Sequence, residues 1–334
     1  MKIKSEWKLL EAVADRIKRD GIKTPPELVL SIGDDCAVFE IDKDTYGLLT
    51  TDISIEDVHF KRRMTSSEDI GYKAMMGNLS DIAAMGGVPL YAVVSLGIPA
   101  GFTEEEILAV YDGLIEAANS ADAAIAGGDI SKSGELVINI ALYGKVAKSQ
   151  LVKRKGAVIG DIIYVTGNLG DSRAGLEILL SANSGMIKKF PDLIARHKRP
   201  HARLNIVDDI LNVFSPTSMI DISDGLLSDL RHICGASSAG FKIFEDKLPL
   251  SKELISYAAM KGEDRYQYAL SSGEEYELLF TSAKKLADLM KLTINNIPVV
   301  SVGEITGSGF LIQRGDRLKE IAIDGFDHFK KGKV

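Results

Sequence analysis

Carboxylates recur in four short turns of this 334-residue chain: Gly33-Asp34-Asp35, Thr50-Thr51-Asp52, Gly127-Gly128-Asp129 and Asp221-Ile222-Ser223-Asp224-Gly225. A further one, Asp81, sits in a helix read over residues 74–87. Any of these alone is an ordinary Asp-Gly turn or a solvated helix acid. Together they are harder to dismiss, because each turn is expected to end a short strand. Strands of one sheet end along a common edge, where α/β proteins bind ligands. Carboxylates gathered there repel one another and rise in pKa unless cations neutralise them. Aspartates with Thr and Ser hydroxyls form an oxygen-only set that suits Mg²⁺, commonly shared with substrate phosphates. No Cys/His spacing points to zinc.

Phosphate chemistry is therefore the first reading, although the usual nucleotide signatures are missing. There is no G-x-x-x-x-G-K-[ST] loop and no protein-kinase set of Gly-rich loop, HRD and DFG. The turn Gly167–Ser172 opens a helix and is either a phosphate cradle or a plain loop-to-helix turn. His59, beside Glu56, Asp57 and the cluster Lys61-Arg62-Arg63, is either a solvated loop residue or a ligand contact. Arg154 is likewise either surface charge or a nucleotide contact. Cys36 and Cys234 read as small buried hydrophobes, too few for a disulfide framework.

The elements that must position these groups follow from periodicity. Trp7, Leu10, Val13 and Ile17 mark an amphipathic first helix. Strands are expected over 28–32, 37–41 and 46–53, followed by a polar loop, 54–63. In the helix over 74–87, Met75, Leu79 and Ile82 face inward, while Asn78, Asp81 and Met85 share a neighbouring stripe. Val88-Pro89 breaks that helix before a strand over 90–98. Thr103 and Glu106 form a capping box for a helix reaching about residue 120. Strands over 123–126 and 136–143 follow, the second alternating as an edge or interface strand does. The second half repeats the alternation, with strands over 161–165, 218–222, 241–244, 276–280, 299–304 and 310–313. Its helices are read over 172–181, up to about 213, and over 226–234, 253–261 and 283–292. Alternating strands and helices give an α/β or α+β class. A basic, glycine-bearing stretch over 147–160 marks the boundary between two domains, 1–148 and 149–334.

A net charge of −7 argues against a nucleic-acid partner held by a basic surface. It does not argue against phosphate substrates, because divalent cations reverse the local field. The N-terminus carries no signal-peptide pattern and no run of 18 apolar residues occurs. The expectation is a cytoplasmic protein with no membrane association.

Taken in order, these turns resemble the motifs of the thiamine-monophosphate kinase family. The resemblance extends to His59-Phe60, Lys73, Asn78-Leu79-Ser80-Asp81-Ile82-Ala83-Ala84-Met85-Gly86, Leu226 and Ser272-Gly273-Glu274-Glu275-Tyr276-Glu277-Leu278. It runs from about residue 30 to the tail Phe326-Asp327-His328-Phe329. The wider family includes aminoimidazole ribonucleotide synthetase, selenide water dikinase and a hydrogenase-maturation dehydratase. It implies a two-domain aminoimidazole ribonucleotide synthetase-like fold, α/β (α+β), whose N-terminal sheet with helices forms the interface of a homodimer. The C-terminal α/β domain then completes the ATP and substrate site.

The implied activity is ATP-dependent phosphorylation of thiamine monophosphate to thiamine diphosphate, the last step of that biosynthesis, by direct in-line transfer with several Mg²⁺ ions. By position, Asp35, Thr50, Thr51, Asp52, Asp81, Asp129, Asp221 and Asp224 hold metal, with Asp81 and Asp35 catalytic. Gly128, Asp129, Arg154, Ser223 and Tyr111 contact ATP, while His59, Glu274 and Phe326 contact the thiamine phosphate. The family's usual two glycines followed by Glu-Asp stand here as Ser272-Gly273-Glu274-Glu275, a departure that bears on the shape of that loop. The other members fit less well. The N-terminal turns lack the reactive Cys-Lys loop of selenide water dikinase, and the tail 325–334 lacks the dehydratase's cysteine. The motifs at His59 and 272–278 fit the thiamine enzyme better than the synthetase. A different class, a metal-dependent nucleotide-binding regulator without catalysis, is the remaining alternative.

Overall fold

The computed structural model describes residues 6–19, 25–284 and 292–322. After α1 (Glu6–Arg19), six strands build the first sheet: β1 (Leu28–Leu30), β2 (Ala37–Glu40), β3 (Thr45–Ile55), β4 (Val88–Ile98), β5 (Ala124–Lys132) and β6 (Val137–Ala147). Their order is β1-β2-β3-β6-β4-β5, with only the β4–β5 pair parallel. Helices α2 (Ser67–Ala84) and α3 (Glu104–Asn119) cover one face. The other face leaves Leu49, Ile53, Tyr91 and Val93 exposed in this chain.

The remainder forms an eight-stranded sheet with its own core. Its strands are β7 (Ile162–Thr166), β8 (Ser218–Asp221), β9 (Gly240–Phe244), β10 (Leu278–Ser282), β11 (Leu292–Ile294), β12 (Ile297–Thr306), β13 (Phe310–Arg314) and β14 (Arg317–Glu320). Its helices are α4 (Asp171–Ser181), α5 (Ser184–Lys189), α6 (Pro191–Lys198), α7 (Val207–Phe214), α8 (Leu226–Ser237), α9 (Lys252–Lys261) and α10 (Arg265–Ser271).

One helix ties the two halves together. Met75, Leu79 and Ile82 of α2 are fully buried against the first sheet. Ala83 and Ala84 enter a core with Tyr164, Phe214 and Phe280 of the second half. An apolar circumference is what a helix enclosed on all sides needs. It packs on α3 backbone to backbone: a Cβ on Gly71 would stand 2.0 Å from the Val110 carbonyl oxygen, and one on Gly113 1.8 Å from that of Glu68. Glycine is required at both positions.

Several expectations are corrected. The central helix starts at Ser67 rather than residue 74, because Ser66 caps it by accepting the amide N–H of Asp69 at 3.2 Å. Strand β4 begins at Val88, so Pro89 lies within it. Strands β3 and β5 continue through Asp52 and Asp129, so these two acids lie inside long strands and not at strand ends. The alternating strand β6 is central, flanked by β3 and β4. Tyr276 and Glu277 precede β10, since Glu274 and Tyr276 take left-handed φ values of 55° and 52°. Helices α5, α6 and α10 carry no strong sequence signal. The helix read over 283–292 lies largely outside the described residues, and its last residue, Leu292, opens β11.

Candidate active site

Asp35, Asp81 and Asp221 present carboxylate oxygens that all lie within 4.8 Å of one another. They come from three places: the loop between β1 and β2, the last turn of α2, and the end of β8. The acids therefore converge between two sheets, not along the edge of one. Hydroxyls hold two of them, Thr50 Oγ1 donating to Asp81 Oδ2 at 2.5 Å and Ser80 Oγ to Asp221 Oδ2 at 2.7 Å. Arg154 Nε donates to Asp35 Oδ1 at 3.1 Å, and its backbone N–H reaches both oxygens of Asp34 at 3.2 Å. Asn78 is buried and donates to the Ala74 carbonyl at 3.1 Å, so it braces the helix and not Asp81.

The cluster is electrostatically uneasy. Burial, then the charges of Asp52, Asp221 and Asp35, pushes Asp81 well above the ordinary carboxylate range, against the Thr50 hydrogen bond. Burial and the Asp35 charge push Asp221 up to about 8. Asp34 rises to about 6 by burial and the charge of Asp35. Burial also raises Asp35, although Arg154 opposes it, and Asp35 Oδ2 is buried without a hydrogen-bond partner. One guanidinium does not balance this set. An orphaned oxygen beside crowded, oxygen-only donors is what a Mg²⁺ site provides.

Asp52 adjoins this cluster. Its Oδ2 lies 3.0 Å from where a Gly77 Cβ would be, and the Tyr276 hydroxyl lies 3.4 Å from the same point. Gly77 thus clears the surface of α2 where the cluster meets the 272–278 loop. Beyond it, Glu274 Oε2 pairs with Lys73 Nζ at 2.7 Å and lies 3.7 Å from His197 Nδ1. Burial works to raise Glu274, yet the Lys73 charge holds it below its usual range. His59 adjoins Glu274, and its Nδ1 accepts the Ile55 amide at 3.0 Å. Two of the three substrate residues named from sequence therefore share a neighbourhood. Phe326 lies outside the described residues.

The nucleotide residues divide into two groups. Tyr111, Gly128 and Asp129 line one open groove of about 490 Å³ with Ile125, Gly127 and Ile130. Gly128 is required there, since a Cβ would stand 1.8 Å from the Val94 carbonyl oxygen. Arg154 belongs to the acidic cluster, and the Ser223 carbonyl accepts the Glu274 amide at 2.7 Å. Asp129 shares a cross-strand row with Ser95, Asn139 and Ile53, on the outward face of the sheet. Thr51 faces the same way and accepts from Asn139 Nδ2 at 3.2 Å. Three strand spacings, about 14 Å, separate that acid from β3. Asp224 groups instead with Asp229 and His232.

Comparison with known proteins identifies the family. Residues 33–146 match the model of the AIR synthase related protein N-terminal domain, and 158–313 match that of its C-terminal domain. Thiamine-monophosphate kinase of Bacillus subtilis (strain 168) is 35% identical, with 90% of this chain and 94% of that protein covered. The Haemophilus influenzae thiamine-monophosphate kinase is 36% identical, covering 96% and 98%. The chain belongs to the thiamine-monophosphate kinase family. The solved structure of AaThiL complexed with AMPPCP and TMP superposes with a TM-score of 0.85 at 34% identity, covering 98% of this chain and 99% of that one. The two-domain AIR synthase-related fold expected from the motifs is thus the fold of this family member. Sequence reading left out Ser80, Lys73 and His197. The first two lie inside the quoted motifs. His197 has no local signal, because α6 meets the site only through tertiary packing.

Proposed function

We propose that this chain transfers the terminal phosphoryl group of ATP to thiamine monophosphate, giving ADP and thiamine diphosphate. The observation that carries the reading is the convergence of Asp35, Asp81 and Asp221 beside Arg154. Asp35, Thr50, Asp52, Asp81 and Asp221 would hold Mg²⁺, with Asp224 at the margin of the set. When bound, such ions neutralise two polyanionic reactants and orient their phosphate oxygens. Arg154 contributes a fixed positive charge at the edge of the same cluster. Gly128, Asp129, Tyr111 and Ser223 contact the nucleotide; His59, Glu274 and, from the tail, Phe326 contact the vitamin.

The acceptor oxygen of thiamine monophosphate is already anionic at neutral pH, so no general base is needed. That oxygen attacks the terminal phosphorus in line as the bond to the bridging oxygen of ADP breaks. The protein's task is alignment. The Tyr276 hydroxyl and Asp52 meet over Gly77, beside the phosphate cluster.

We also propose a division into domains 1–148 and 149–334, and a homodimer formed through the outward face of the first sheet. Leu49, Ile53, Tyr91 and Val93 make that face apolar, as an interface requires. A second copy seated there would bring its own Asp129 and nucleotide groove towards Thr51, on a strand that one chain leaves about 14 Å away. Among the described residues no helix is long and apolar enough to cross a membrane. We place the enzyme in the cytoplasm.

Mixing the protein with ATP, Mg²⁺ and thiamine monophosphate tests the reading. ADP and thiamine diphosphate should appear one for one. ATP that binds tightly but is never consumed would favour the regulator instead.

A further inference from the structure

The loop that presents Glu274 is built against its own backbone preferences. Glu274 and Tyr276 both adopt left-handed φ, 55° and 52°, which side-chain-bearing residues rarely take. Such geometry persists where the surroundings over-determine it. Three amides tie the loop to the strand end below it: Glu274 N–H donates to the Ser223 carbonyl at 2.7 Å, and the Glu275 and Tyr276 N–H groups donate to that of Ile222 at 3.2 and 2.8 Å. Between the two strained residues, Glu275 is fully buried. Its Oε1 accepts the backbone N–H of Gly170 at 2.8 Å, that of Ser172 at 3.2 Å and the Ser272 hydroxyl at 2.5 Å. Ser272 Oγ in turn accepts the N–H of Arg173 at 3.0 Å. The start of α4 is thereby satisfied by the loop, a carboxyl oxygen accepting its amides.

We infer that Ser272 and Glu275 act as one positioning unit that locks Glu274 toward Lys73. They do so by anchoring the strained loop to the N-terminus of α4. Both residues are buried, so they act through Glu274. The inference rests on the reading of Glu274 as a contact to the thiamine phosphate. Loosening the loop should then weaken a contact remote from the transferred phosphoryl group, raising KM more than it lowers kcat.

Kinetics of Glu275→Gln, Ser272→Ala and the double variant, beside wild type, provide the test. Glu275→Gln should raise KM for thiamine monophosphate about tenfold or more, leaving KM for ATP and kcat within about twofold. Ser272→Ala should shift the same constant less, and the double variant should be no worse than Glu275→Gln alone. Ser272→Ala keeps the test decisive if the glutamine variant does not fold. Unchanged KM for the acceptor, equal losses for both substrates, or strictly additive effects would overturn the inference while leaving the activity standing. A wild-type protein that never consumes thiamine monophosphate would overturn the activity and, with it, this inference.

Discussion

At the scale of single residues, the decisive feature is that Asp81 is costly where it sits. Three other carboxylates act on it in a buried setting, and one hydroxyl opposes them. Asp81→Asn removes that repulsion while keeping the shape. The cation-free variant should melt a few degrees above wild type by calorimetry, yet turnover should fall by orders of magnitude. Near-normal turnover would remove Asp81 from the mechanism. His197 gives a pH-dependent counterpart. Burial, then the Lys73 charge, lowers it from 6.5 to about 3, so it stays neutral in the folded protein. Unfolded chains take up that proton below pH 6.5, so its contribution is complete above 6.5 and is lost as pH falls toward 3. Urea unfolding should show wild type losing stability relative to His197→Asn over that window, by at most about 1.4 kcal/mol per pH unit. The acids were legible in the sequence because local motifs carry them. His197 was not, because only the packing of α6 delivers it to Glu274.

At the scale of elements, the site depends on α2 being held at a fixed height between α3 and both sheets. Gly71 and Gly113 permit that approach, with no room for a methyl group at either. Gly113→Ala should lower the urea midpoint with unchanged slope, costing about 1–3 kcal/mol, and should reduce activity by displacing Asp81. The sequence announced α2 through its apolar spacing, but its start was read at residue 74 and not at Ser67, where the Ser66 cap sets it. Strand extents were less legible. Nothing local to Asp52 or Asp129 says that the ladder continues past them; pairing with β6 and β4 decides it. Once those strands are extended, side-chain alternation turns Thr51 and Asp129 to the face opposite Asp52, a consequence no motif encodes.

At the scale of the whole molecule, the proposed homodimer rests on the outward apolar face and the outward-facing Asp129. Sedimentation should find two chains in the wild-type particle. Val93→Lys puts a charge in the centre of that face, so it should yield monomers with little activity and an intact fold. A fully active monomer would detach the dimer from catalysis. Phosphoryl transfer across the junction of the two sheets is the central claim, and ATP labelled in its terminal phosphate tests it most directly. With Mg²⁺ and thiamine monophosphate, label should enter thiamine diphosphate in step with ADP, and should fail to do so with Asp81→Asn. Label released only as inorganic phosphate, or ATP left bound and intact, would contradict it.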